Sequence, residues 1–311
     1  MRITAENVAK FEPVKLFNDN EKRINSLDFN VEGGLLITSS DDESLNLYDT
    51  NQGKKTKTIH SRKYGADLVR FTREPQQVIV ASSNEWDQSM RLLSLDNRYL
   101  RYYKGHRDKV VSISLSPKDN TFISASLDST IRFWDLLAPT CQGLLRRKGR
   151  ASVSFDPQGV VFAMASNNTI IKLYDIRNYD RGSFSTFSIP QPTLSDCLRV
   201  VFSSDGSMLL LTMSNQTVHL IDSFSGQLKH SYKSTHGLSG TASFSPDGQF
   251  VICGGTDGNI HCWSSINGNE ICQWRHGSNV VEAVSWNPRS MMLASVDNNH
   301  SLCFWLPQMP Q

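Results

Sequence analysis

One kind of apolar run returns along this chain at nearly constant distances, and it limits the possible folds more than any other feature. The runs end at Asp49 (SLNLYD), Ser94 (SMRLLS), Asp135 (TIRFWD), Asp175 (IIKLYD), Asp222 (TVHLID), Ser264 (NIHCWS) and Leu306 (SLCFWL), with spacings of 45, 41, 40, 47, 42 and 42 residues. A unit of about 40–45 residues accommodates four short strands and their turns. Within each run the residues four and two before the end are apolar, as at Ile131 and Phe133, and the one between is mostly polar, as at Arg132. Such alternation sends side chains to opposite faces of an extended strand.

The rest of each unit fits the same reading. An earlier strand ends in a large apolar residue, at Phe29, Phe71, Leu115, Phe155, Phe202, Phe244 and Trp286. Most of these lead into SPKDN, DPQG, SSDG, SPDG or NPRS, where Pro, Asp and Gly supply the fixed or positive φ of a tight reversal. Another strand follows (LLITSS, TFISAS, VFAMAS, MLLLTM, FVICGG, MMLASV), then a short polar turn, then the run described first. Variable segments such as KTKTIH, YLRYYK, QLKHSY and EICQWR supply a fourth strand. Seven such units without a compositional break predict an all-β chain, with residues 1–311 forming a single seven-bladed β-propeller domain. An open arc would leave two unpaired sheet edges, so the segment near Pro13 to Phe17 is expected to pair with LCFWL of the last blade. The longest spacings fall in the second and fifth units, whose strand limits are least defined.

The third unit reads GHRDKVVSISLSPKDNTFISASLDSTIRFWD and carries a polar set, His106, Ser124, Asp128 and Trp134. In a folded blade the carboxylate accepts from the imidazole, the imidazole and the Ser hydroxyl share a bond, and the hydroxyl meets the indole N–H. A charge-assisted link of this kind contributes about 1.5–3 kcal/mol. The set therefore reads as structural support and not as a hydrolytic triad, because no nucleophile-elbow sequence surrounds the serine. Other units depart from it: Asn167 and Asn215 stand near the place of the turn Asp, and Tyr48 and Tyr174 replace the Trp. The complete set is expected in the third unit alone, with packing holding the irregular blades.

The GH, D and WD elements and the seven periods resemble the WD-repeat family over nearly the whole chain. INSLDF (24–29), SSDDESLNLYD (39–49), RKYGADLVR (62–70), TFISASLDSTIRFWD (121–135), CQGL (141–144), VSFDPQGVVFA (153–163), IKLYDIRNYDRGSFSTF (171–187) and the ending FWLP carry a narrower likeness. They resemble the WD-repeat adaptor subunit of COMPASS-type histone lysine methyltransferase complexes. In some lineages that subunit is shared with RNA cleavage and polyadenylation and phosphatase complexes acting on RNA polymerase II. The resemblance implies a nuclear, non-catalytic scaffold whose partners are protein subunits of those complexes, with the phosphorylated polymerase tail as a further ligand.

Composition adds limits. A formal net charge of +2 predicts no strong overall attraction to nucleic acid or an anionic membrane. The N-terminus lacks the apolar core of a signal peptide, and no stretch approaches the roughly 20 apolar residues of a membrane span. The six cysteines lie in strand-like runs without a C-x-x-C pair, as free thiols of an intracellular chain would. Phosphate-loop, dinucleotide and zinc-protease signatures are missing, so no catalytic residue, metal or cofactor is expected. GGTDG at 254–258 and the acidic Asp41, Asp42 and Glu43 read as strand-to-strand turns, and His219 and His261 as polar positions on exposed strands.

Positive charge gathers on or just before the first strand of several units: Lys22, Arg23, Lys63, Arg107, Lys109, Lys148, Arg150 and Arg199. In the WD-repeat family that end of the blade faces the narrow top surface. The resemblance thus implies a basic ring around the channel mouth, suited to an acidic or phosphorylated peptide. Tyr64 and Trp86 are candidate exposed aromatics at an interface. RRKGR (146–150) could serve nuclear import. The competing readings are an adaptor of an unrelated complex, a nucleic-acid-binding propeller, and least of all a propeller hydrolase, which the basic ring disfavours.

Overall fold

Residues 3–166, 169–189 and 195–308 are described by the computed structural model, and they form seven four-stranded antiparallel blades. In the first, Ile24–Phe29, Leu35–Ser40, Ser44–Asp49 and Lys54–His60 follow one another outward from the ring centre, each hydrogen-bonded to the last. The second to sixth blades repeat this order from innermost strands Val69–Phe71, Val110–Leu115, Ala151–Phe155, Cys197–Phe202 and Leu238–Phe244. The second blade departs most, with an innermost strand of three residues. The expectation for Asn167 falls outside the described residues.

The seventh blade is composite. Val281–Trp286, Leu293–Asp297 and Leu302–Pro307 supply three strands, and Phe11–Phe17 from the other end of the chain supplies the fourth. The pairing runs from Phe11 opposite Pro307 to Phe17 opposite Leu302, which is the closure the sequence predicts. Only Phe11 and Phe17 of this outer strand are buried. Its exposed middle holds Pro13, which has no N–H to offer, beside Glu12 and Lys15, features that discourage pairing with another chain. A short helix, Ala5–Ala9, precedes it, and the Val8 carbonyl accepts a bond from Trp274 Nε1 at 3.1 Å.

The cores lie between blades. Ile79, Met90, Leu92 and Tyr103 of the second blade pack with Val110, Ile113, Phe122 and Trp134 of the third. Phe17 and Phe304 pack likewise with Phe29, Leu36 and Tyr48 across the closing seam. Each fully buried side chain of this kind contributes about 1.5–3 kcal/mol, and the part that comes from the facing blade is lost to an isolated one. Polar side chains near the axis stitch the same seams: Asp28 Oδ2 accepts from Phe71 N at 2.8 Å, Ser114 Oγ from Phe155 N at 2.9 Å and Ser152 Oγ from Val200 N at 3.0 Å. Between the sixth and seventh blades the backbones meet directly, through Thr241 and Ala283. Gly240, at φ +72, makes that approach possible, because a Cβ there would run into the Glu282 carbonyl.

His219 and His261 correct an expectation. Both are buried, because the neighbouring blades cover both faces of a third strand and leave its polar phase no access to solvent. His219 Nδ1 meets Ser231 Oγ at 2.8 Å, and His261 Nδ1 meets Glu270 Oε1 at 2.7 Å. Burial, with help from Lys233, pushes His219 down to about 4, so it is neutral at ordinary pH. The six cysteines are free thiols, and among the described residues no helix is long and apolar enough to cross a membrane.

Candidate functional site

The polar set of the third blade is fully connected. His106 Nδ1 lies 2.9 Å from Asp128 Oδ2, His106 Nε2 lies 2.7 Å from Ser124 Oγ, and Trp134 Nε1 donates to the same oxygen at 2.9 Å. Because the indole uses one acceptor site of Ser124, the hydroxyl hydrogen is free to donate to Nε2, which places the imidazole proton on Nδ1 facing the carboxylate. Burial lowers the His106 pKa and Asp128 only partly offsets it, in keeping with that neutral tautomer. Asp128 also accepts from Thr130 Oγ1 (2.6 Å), Thr130 N (2.9 Å) and Arg107 N (2.9 Å). Partial burial pushes this carboxyl up, but the bonds from Thr130, Arg107 and His106 outweigh it and hold it at about 2. Ser124 is 0% exposed with its hydroxyl fully engaged, so it has no route to a substrate.

A second, looser set occupies the seventh blade, where the sequence reading expected none. Trp305 Nε1 donates to Ser295 Oγ at 2.7 Å, while His276 Nδ1 stands 3.9 Å from Asp297 Oδ2. Asp297 precedes its Trp by eight residues whereas Asp128 precedes Trp134 by six, so the two sets do not share one spacing. The HG pair at residues 276–277 was the available signal.

The predicted basic positions separate into three groups. Arg23, Lys109, Arg150 and Arg199 line a central channel of about 780 Å³. Its wall is not uniformly basic, for Arg23 Nε pairs with Glu282 at 2.8 Å and Lys109 Nζ with Asp67 at 2.9 Å. Two further wall residues, Arg70 and Asp28, were not singled out from the sequence; both precede the terminal Phe of an innermost strand, a phase that faces the axis. Burial lifts the Asp28 carboxyl despite Arg70, and burial with Arg70 pushes Arg199 down to about 10. Lys22, Arg107 and Lys148 are exposed outside this lining.

Lys63 and Tyr64 instead line a separate cleft of about 440 Å³ between the second and third blades, with Trp86, Tyr102 and Lys104. The Tyr64 ring lies 5.9 Å from Trp86, 5.7 Å from Tyr99 and 6.0 Å from Tyr102. Beneath it the guanidinium of Arg91, wholly buried, sits 4.1 Å from the ring centroid. Among the described residues no group of His, Cys, Asp and Glu is arranged to hold a metal ion.

The family model for the WD domain, G-beta repeat, matches residues 11–49, 97–135 and 226–264. Each match ends at the close of a blade's third strand, and the first spans the ring-closing strand. WD repeat-containing protein 82 of Drosophila melanogaster is 41% identical over 96% of this chain and 95% of its own length. Set1 complex component swd2 of Schizosaccharomyces pombe is 41% identical over 80% of this chain and 74% of its own. COMPASS component SWD2 of Saccharomyces cerevisiae is 33% identical over 84% and 83%. A closed ring of seven blades, the repeat matches and this near full-length likeness show that the chain belongs to the WD-repeat protein family, in the group that includes WD repeat-containing protein 82 and the Swd2 subunits.

Proposed function

We propose that this chain is a non-catalytic nuclear scaffold of a COMPASS-like histone lysine methyltransferase complex, and that it acts as one domain. The observation that carries the reading is the likeness, over four-fifths of the chain or more, to two proteins named as Set1 complex and COMPASS components. The fold supports it: rigid blades with engaged polar networks present loops on two faces and can hold several partners at once. A link from RNA 3′-end processing or phosphatase machinery to RNA polymerase II extends the reading. The channel rim would then receive an acidic or phosphorylated segment through Arg23, Lys109 and Arg150, once Glu282 and Asp67 give up their pairs.

Affinity purification from nuclear extract followed by mass spectrometry tests the complex, with recovery of a methyltransferase catalytic subunit expected; recovery of none of the methyltransferase, polymerase or RNA-processing subunits rejects it. Replacing Arg23, Lys109 and Arg150 with Glu tests the rim. The triple variant should keep the melting temperature within a few degrees and lose affinity for a phosphorylated polymerase-tail peptide. Unchanged affinity removes the rim as the binding surface.

A further inference from the structure

The cleft between the second and third blades shares no lining residue with the central channel. Trp86 is 67% exposed, whereas Trp134, Trp263, Trp274, Trp286 and Trp305 are buried. An indole left in water beside the Tyr64 ring, which itself packs on Tyr99 and Tyr102, forms the kind of rigid apolar surface that anchors interfaces. Arg91 fixes it from below. The Nε and Nη2 groups of that buried guanidinium have no hydrogen-bond partner among the described residues, and its planar face supports Tyr64 through a cation–π contact.

Charge states what the surface wants. Lys63 and Lys104 line the cleft, and neither has a carboxylate partner within 4.0 Å among the described residues; the Lys63 ammonium rests 5.2 Å from the centre of the Tyr64 ring. The one acidic side chain of the lining, Asp87, is occupied by the Ser89 N–H at 2.9 Å and by Arg91 at 3.4 Å. The cleft therefore offers aromatic faces between two unneutralised cations above a third.

We propose that this cleft docks an extended acidic, proline-bearing peptide of a partner protein, with proline rings lying on Trp86 and Tyr64 and carboxylates meeting Lys63 and Lys104. Prolines preset the extended left-handed helix whose ridges fit grooves lined by tyrosine and tryptophan rings, so little chain entropy is lost on docking. The site deepens the scaffold reading, on which it rests, by giving a second partner a place away from the channel.

The test uses the purified full chain and a peptide of alternating glutamate and proline, about ten residues long, read by anisotropy with a fluorescein label and, unlabelled, by the part of the tryptophan emission that Trp86→Phe removes. Binding with a blue shift of the emission is expected. Trp86→Ala should weaken it about tenfold or more, Trp86→Phe should restore most of it, and the Lys63→Glu, Lys104→Glu pair should weaken it about tenfold, all with unchanged melting temperatures. Lack of binding, equal binding by Trp86→Ala, equal binding of a lysine–proline peptide, or displacement by oligouridine at lower concentration than by unlabelled peptide would each overturn the proposal. The last outcome would assign the cleft to single-stranded nucleic acid, which also stacks on aromatics beside cations. Because no complex is involved, a failure here leaves the methyltransferase-complex assignment to stand or fall on the affinity purification.

Discussion

In the third blade Ser124 faces Arg132 across the paired second and third strands, and Trp134 faces Phe122. At the same places in the second blade, Val80 faces Arg91 and Leu93 faces Val78. The hydroxyl has become an isopropyl group and the indole an isobutyl group, so the second blade has no partners from which to build the third blade's network. Its turn carboxylate, Asp87, reaches Arg91 instead. Phe71 and Tyr103 stay in the core, but four other aromatic residues, Tyr64, Trp86, Tyr99 and Tyr102, gather in the loops and on the outermost strand. A propeller needs every blade to pack, but it does not need every blade to use the same polar lock. A blade released from that lock is free to spend its larger side chains on recognition.

The contrast can be broken most sharply at Ser124. Ser124→Ala leaves the Trp134 indole N–H and His106 Nε2 without partners in a dry interior, and chemical denaturation should show a loss of about 2–4 kcal/mol. A loss below about 1 kcal/mol would mean that packing alone holds the third blade, as in the second. Acid is the next lever. The Asp128 carboxyl falls from 3.8 to about 2 in the fold, so its contribution is complete above about pH 4 and disappears as the pH drops toward 2. His106 is held below 6.5, which favours its neutral form and again removes stability on acidification. Melting temperatures between pH 7 and 2 should therefore fall more steeply for the native protein than for Asp128→Asn, and parallel curves would contradict the network.

Smaller effects sharpen the comparison. Ser295→Ala in the seventh blade breaks one short bond in a looser set and should cost about 1–2 kcal/mol by the same measurement, less than Ser124→Ala. Trp86→Ala in the second blade should change stability by less than about 0.5 kcal/mol, because an exposed ring carries no core. A larger loss there would show that the aromatic cluster braces the blade.

The architecture was legible because each repeat spells out its own strands: alternation of period two at Leu45 and Leu47 or Val218 and Leu220, and Pro, Asp and Gly at the reversals. The third-blade network was legible because its members come from one repeat. What sequence left hidden depends on neighbours. Arg23 meets Glu282 across 259 residues of chain, a pairing that no single repeat can signal. His219 and His261 look solvent-facing until the adjoining blades cover them. The cleft draws Tyr64, Trp86 and Tyr102 from three segments, and their convergence is a property of the folded ring.

The composite seventh blade also imposes an order of events during synthesis. Phe11–Phe17 comes before every other strand of the ring in the chain, yet its mate, Leu302–Pro307, comes after all of them. Until then the nascent polypeptide is a crescent with two raw ends, stable only as far as its stacked blades allow. Closing that one seam is therefore the step that turns stacked blades into a ring without a free sheet edge.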